Sequence, residues 1–183
     1  MKRLLILGAG GYGRTVAEAA LLTDEWTSVD MLDDSFPAVE FSGRYTVVGK
    51  STDLTHVATN YDAAVCAIGN GQARKALTEA ILAAGLPLAI IIHPRAYVST
   101  DATIGAGTTI MAGAVVGPYA KIGQGCILNA NATADHDSVM EDYAHLGVGV
   151  AIAGSALLRE GAWLQAGRNA GYGVEVSAWD VWN

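Results

Sequence analysis

One histidine of this 183-residue chain stands between two carboxylates, in Thr133-Ala134-Asp135-His136-Asp137-Ser138. Imidazole accepts a proton near neutral pH, and flanking carboxylates favour its charged form. His136 is therefore expected to act as a general base; an idle surface histidine is the alternative. A second constellation lies near the start. Gly8, Gly10 and Gly13, within Gly8-Ala9-Gly10-Gly11-Tyr12-Gly13, follow an apolar run and precede helix formers. Such a loop lets backbone N–H groups meet a phosphate at a helix N-terminus. Asp33 and Asp34 follow at the spacing of a ribose-binding carboxylate. Read alone, this pattern predicts NAD. The domain that carries it is too short for the two-half dinucleotide fold, and one half suffices for a single nucleotide diphosphate. Gly69, Asn70 and Arg74 are expected to line the same crevice at a neighbouring strand end, with a solvated helix position as the alternative for Arg74.

Two kinds of element must hold these groups. In the first half, residues 4–7 read as a strand buried on both faces and residues 15–22 as a helix. Residues 26–32 form a second strand ending at Asp33-Asp34, and 63–68 a third ending at Gly69-Asn70-Gly71. Residues 74–84 follow as a helix with Leu77, Ile81 and Leu82 on one side and Gly85 as its stop. Residues 88–92 are expected as one more strand. Together they make a small α/β, Rossmann-like domain with a parallel sheet over residues 1–92.

At His93-Pro94 the organisation changes, because the residue before proline is pushed out of helical geometry. Every sixth residue from Val98 is then apolar: Val98, Ile104, Ile110, Val116, Ile122, Leu128, Ala134, Met140, Leu146, Ile152, Leu158, Leu164, Ala170 and Val176. Four residues after each comes a small or apolar residue, from Ala102 to Ala162, until Arg168 breaks the series. A period of six is neither helical nor that of an extended strand. It fits short strands joined by tight corners, three hexads closing one triangular coil, with coils about 4.8 Å apart. Residues 93–183 are expected to form a left-handed parallel β-helix whose repeats run from about Val98 to Val176. Glycines just after the aliphatic position, as at Gly105, Gly117, Gly123 and Gly147, are expected to supply turn conformations. Since three hexads complete one coil, Gly154 should lie over His136 and leave space beside the base, with an ordinary corner glycine as the alternative.

The rest of the composition narrows the class. About half of the chain is apolar (51%), enough for a core, and its net charge of −7 argues against nucleic acid or an anionic membrane as partner. Cys66 and Cys126 have neither metal spacing nor a disulfide framework, so two buried thiols are expected. The apolar runs at 4–7 and 89–92 are too short for a signal peptide or a membrane span, which makes the cytoplasm the expected location. Only His136 and His145 fall within the repeats, so a three-histidine zinc site is not expected.

An ordered set of motifs carries a resemblance across nearly the whole chain. Gly8-Ala9-Gly10-Gly11-Tyr12-Gly13-Arg14, Leu32-Asp33-Asp34, Ala67-Ile68-Gly69-Asn70, Ile92-His93-Pro94 and Asp135-His136-Asp137 occur in this order. With the hexad repeat, the series resembles the hexapeptide sugar acetyltransferases that include the bacillosamine and perosamine N-acetyltransferases and the sialic acid O-acetyltransferases.

The resemblance implies an N-terminal domain that binds a UDP- or GDP-linked sugar, and a β-helix that binds acetyl-CoA as co-substrate. It also implies a homotrimer with sites between copies, and direct transfer of the acetyl group to an amine or hydroxyl. On this reading Asp137 is the acidic partner that orients His136. The Gly154 N–H stabilises the oxyanion, and His145 lies beside the acetyl donor. Asn129 matches a family asparagine, with a turn-satisfying role as its alternative. A packed structural role is the alternative for His145. Arg159 and Arg168 are the nearby cations for the CoA phosphates, or else plain surface charges. Gly10, Gly11, Tyr12, Gly13, Asp33, Asp34, Gly69, Asn70 and Arg74 fall to the sugar nucleotide.

Two departures from the family pattern stand out. Tyr12 occupies a position where some members carry a histidine that touches the sugar, which leaves N- against O-transfer open. Family members usually continue for more hexads, so the β-helix reads as shortened, with Trp179 and Trp182 as a cap. The competing expectation is accordingly a weakly active or inactive sugar-nucleotide-binding paralogue.

Overall fold

The computed structural model describes residues 2–183. The chain divides into two compact units, the first ending at Ala89 and the second running from Ile90 to Asn183.

The first unit is built on strands β1 (Lys2–Leu7), β2 (Trp26–Leu32), β3 (Phe41–Ser42), β4 (Tyr45–Gly49) and β5 (Ala63–Cys66), in the order β3-β4-β2-β1-β5. All neighbours are parallel except β3 and β4. The central strand β1 explains its own composition: Leu4, Leu5, Ile6 and Leu7 are wholly buried because both sheet faces are covered. Helix α1 (Gly11–Leu21) buries Val16, Ala17, Ala19 and Ala20, and helix α2 (Gly71–Ala83) buries Arg74, Thr78 and Ile81. The chain leaves β1 for β2 on one side and returns to β5 on the other. Strand order therefore reverses beside β1, the place where open parallel sheets take ligands beyond their strand ends.

Three expectations need correction here. The β3–β4 hairpin has no counterpart in the sequence reading, since its strands are short and bracket a Gly43-Arg44 turn. Leu82 is 48% exposed, so the buried stripe of α2 runs through Arg74, Thr78 and Ile81 instead. Residues 88–92 are not one strand: Leu88 bridges Ala64 in the first unit, whereas Ile91–Ile92 pairs with Thr109–Ile110 in the second.

The second unit is a left-handed parallel β-helix of two-residue strands running from Ile91–Ile92 to Val181–Trp182. Each strand pairs in parallel with the strand three hexads on, as Val116 does with Ala134 and His145 with Trp163. The aliphatic series fills the interior, and Ala114, Ala120, Cys126, Ala132, Ala144, Ala156 and Ala162 pack beside it, all at 0% exposure. Buried polar groups in this series are satisfied: Thr108 Oγ1 donates to the Gly123 carbonyl and accepts from the Cys126 N–H. The repeat is longer than expected at both ends. Val181–Trp182 pairs with Trp163–Leu164, and the Trp179 ring occupies the space that a side chain on Gly161 would need. The tail thus continues the coil.

The two jobs of glycine are also distributed differently from expectation. Left-handed φ falls on the third residue after the aliphatic position, at Gly107, Gly113 and so on in steps of six to Trp179. Gly105, Gly117, Gly123 and Gly147 lie outside that series. They are small because a Cβ there would stand 2.4–2.7 Å from an atom of the next coil.

Candidate active site

His136 sits at the corner after Thr133–Ala134, two residues past the buried Ala134, so its side chain leaves the coil. Its Nδ1 is 2.8 Å from Asp137 Oδ2. In the neutral ring Nδ1–H donates to that carboxylate, which leaves the lone pair on Nε2. Asp137 reaches back because its backbone is left-handed, with φ of 57°, a conformation aspartate tolerates better than most residues. Asp135 serves the backbone instead, its Oδ1 accepting the His136 N–H at 2.7 Å. The Asp137 hydrogen bond raises the imidazole pKa above its ordinary value, desolvation opposes the rise, and the charges of Asp135 and Asp137 add to it.

Coil stacking places glycine on both sides of this corner. Asp137 N–H donates to the Pro118 carbonyl below, and Ser155 N–H donates to the His136 carbonyl from above. A Cβ on Gly117 would stand 2.7 Å from the His136 nitrogen, and one on Gly154 would stand 2.5 Å from both Cε1 and Nε2 of the ring. This corrects the expectation for Gly154: the space its missing side chain leaves is filled by the imidazole itself. The Gly154 N–H donates to none of the described residues.

The other expected donor-side residues are differently placed. His145 is 6% exposed and stacks on Trp163, with centroids 4.8 Å apart and planes 7° from parallel; this is the packed arrangement. Arg159 is held by Glu141 at 2.9 Å and Glu175 at 2.7 Å. Arg168 is exposed where the hexad pattern loosens, between Gln165 and Gly171. Asn129 lies at the preceding corner, a hexad before Asp135, and its Oδ1 accepts the Ala130 N–H.

In the first unit the glycine loop forms as its spacing implies. A Cβ on Gly13 would come 2.1 Å from the Gly8 carbonyl oxygen, so only glycine lets helix and loop approach. Gly10 caps α1, Gly11 opens it, and Tyr12 follows half-buried. Gly8 in turn lies against Ala67 and Ile68, which joins the loops after β1 and β5. The acidic pair proves largely occupied. Asp33 accepts from Ala9 N–H at 2.7 Å and from both groups of Ser35. Burial presses its pKa upward, and these hydrogen bonds outweigh that and hold it below the ordinary aspartate value. Asp34 binds Ser51 through one oxygen. Asn70 caps α2 by accepting the Ala73 N–H at 2.9 Å.

Arg74 requires the largest correction. It is 1% exposed, and its Nη1 donates to the carbonyls of Ile68 and Gly69 at 2.7 and 2.9 Å. It braces the loop from behind and does not line the crevice. Sequence reasoning missed a pocket of about 280 Å³ lined by Gly11, Arg14, Thr15, Glu18, Arg44 and Tyr45. Arg14 was legible beside the glycine motif; Arg44 enters through the unforeseen hairpin turn.

Among the described residues no cluster of His, Cys, Asp or Glu could hold a metal ion, and no helix is long and apolar enough to cross a membrane.

Residues 3–81 match the model of the PglD N-terminal domain. The acetyltransferase domain of PglB from Neisseria gonorrhoeae FA1090, solved with acetyl coenzyme A, is 30% identical, with a TM-score of 0.80 over 98% of this chain and 93% of that one. PerB from Caulobacter crescentus, solved with CoA and GDP-perosamine, is also 30% identical, with a TM-score of 0.92 over 99% of this chain and 86% of that one. The chain belongs to this family of sugar acetyltransferases. A curated relative of the sugar acetyltransferases, the UDP-N-acetylbacillosamine N-acetyltransferase of Bacillus subtilis (strain 168), is 33% identical over 114 residues. That match spans 61% of this chain and 52% of the relative.

Proposed function

We propose that this protein transfers an acetyl group from acetyl-CoA to an amine of a nucleotide-linked sugar, with His136 as general base. The observation that carries the proposal is the His136–Asp137 pair at 2.8 Å, which leaves Nε2 basic at an open corner of the β-helix. The sugar amine attacks the thioester carbonyl carbon as Nε2 takes its proton. The carbonyl oxygen becomes an oxyanion, and the uncommitted Gly154 N–H is the donor for it. The intermediate collapses with cleavage of the C–S bond, and the imidazolium proton neutralises the departing CoA thiolate. Asp137 keeps the ring in one tautomer and stabilises its charged form.

The relatives named as N-acetyltransferases favour an amine over a hydroxyl as acceptor. The structures of PglB with acetyl coenzyme A and PerB with GDP-perosamine support the donor and the acceptor class. The first unit takes the sugar nucleotide on the loops after β1 and β5. Arg168, which is exposed, meets the CoA phosphates on this reading. Assembly as a homotrimer in the cytoplasm, with sites between copies, completes the proposal.

Thiol release on mixing acetyl-CoA with GDP-perosamine or a UDP-linked amino sugar tests it. His136→Ala should lower kcat by about a hundredfold or more. A loss smaller than about tenfold would remove His136 as the base.

A further inference from the structure

Left-handed backbone recurs at the same place in every hexad from residue 107 to residue 179, and glycine holds most of these positions. Six are not glycine: Tyr119, Asn131, Asp137, Tyr143, Ser155 and Trp179. Three of the six have a packing reason. Asn131 fills the space at Gly113, Trp179 fills the space at Gly161, and Tyr143 is 3% exposed with its hydroxyl on the Gln124 amide. The other three stand on consecutive coils of one edge, with Asp137 between Tyr119 below and Ser155 above. That edge is the one that carries His136.

Tyr119 is the anomaly. An aromatic side chain at positive φ is disfavoured, and strained residues of this kind gather where a function holds them. Its φ is 59° and it is 63% exposed, so burial does not offset the strain. Its position relative to the base follows from the coil register, one coil of about 4.8 Å below Asp137. The coil above presents Gly154, packed against the His136 ring, and Ser155 at this edge.

We infer that Tyr119 is an acceptor-binding residue whose ring lies along the C–H face of the sugar, setting the amine at His136. The inference rests on the proposed acetyl transfer. A pyranose ring offers one largely apolar C–H face, and an exposed tyrosine supplies a flat partner for it with a hydroxyl at the rim.

The test compares Tyr119→Gly and Tyr119→Phe with the wild-type full chain, using GDP-perosamine and a UDP-linked amino sugar as acceptors. Glycine suits the backbone, so Tyr119→Gly should keep its assembly state and a Tm no lower than wild type. Its KM for the acceptor should rise about tenfold, the loss expected of one aromatic stacking contact. The KM for acetyl-CoA and kcat should stay within about twofold, and Tyr119→Phe should stay near wild type. An unchanged acceptor KM overturns the inference. So does a lowered Tm or altered assembly with both KM values raised, which would make Tyr119 a structural or interface residue. Wild-type protein that transfers acetyl to neither sugar overturns the proposed function and this inference together; wild-type turnover with an indifferent Tyr119→Gly overturns this inference alone.

Discussion

The imidazole of His136 lies against the backbone of Gly154, one full coil further along the chain, with no room for even a methyl group between them. The contact fixes one face of the ring, while Asp137 fixes its edge through Nδ1. A base held at two points loses little freedom when the substrate arrives, and that preorganisation is worth rate.

Gly154→Ala should therefore damage catalysis more than folding. The added Cβ would stand 2.5 Å from Nε2, so the ring must move. Displacement of a reacting group by this order costs about a hundredfold in kcat. Steady-state kinetics with a melting curve as control checks it; a variant with near-normal kcat would show that the ring has another working position.

The pH profile should carry the mark of Asp137. His136 must be neutral to accept a proton, and its pKa lies above the ordinary 6.5. The acid limb of kcat/KM is therefore expected above pH 6.5, with activity falling as pH drops through it. Asp137→Asn removes the chief cause of the shift, so the limb should move down and kcat should fall. The linked effect on stability has the opposite direction: the pair's contribution is complete below the unfolded pKa and fades as pH rises through the raised folded value.

Arg74→Ala should destabilise the first unit. The change leaves the Ile68 and Gly69 carbonyls without this buried donor and opens a cavity behind the loop. Leaving a buried acceptor unpaired costs about 1–3 kcal/mol. Urea unfolding measures the loss, and sugar-nucleotide affinity should fall with it because the loop is no longer held.

Thiol chemistry offers a simple check on both cores. Cys66 and Cys126 are free and buried, and burial pushes the Cys66 thiol up to about 12. Neither should react with a thiol reagent at pH 8 until the protein is unfolded. Rapid labelling of native protein would contradict the packing of the strand or the coil.

The β-helix was largely legible in the sequence because its period is rigid. Each coil is three hexads, every sixth side chain has one direction, and a one-residue error would turn the whole aliphatic series outward. That register alone put Val116 inside, His136 outside and Gly154 next to His136. The N-terminal loop was legible for a similar reason: Gly8 and Gly13 meet at a distance that admits no Cβ, and such a constraint leaves its trace in residue type.

What the period could not reach was decided by contacts between residues with no fixed spacing. Asp33 turned inward to Ala9 and Ser35, and Arg74 went into the interior because the Ile68 and Gly69 carbonyls were there to receive it. His145 closed onto Trp163, and the imidazole of His136 took the space at Gly154. Residue type sets what each of these groups is able to bind. Only the folded chain determines which partner lies close enough to satisfy it, and so which groups remain open to a substrate.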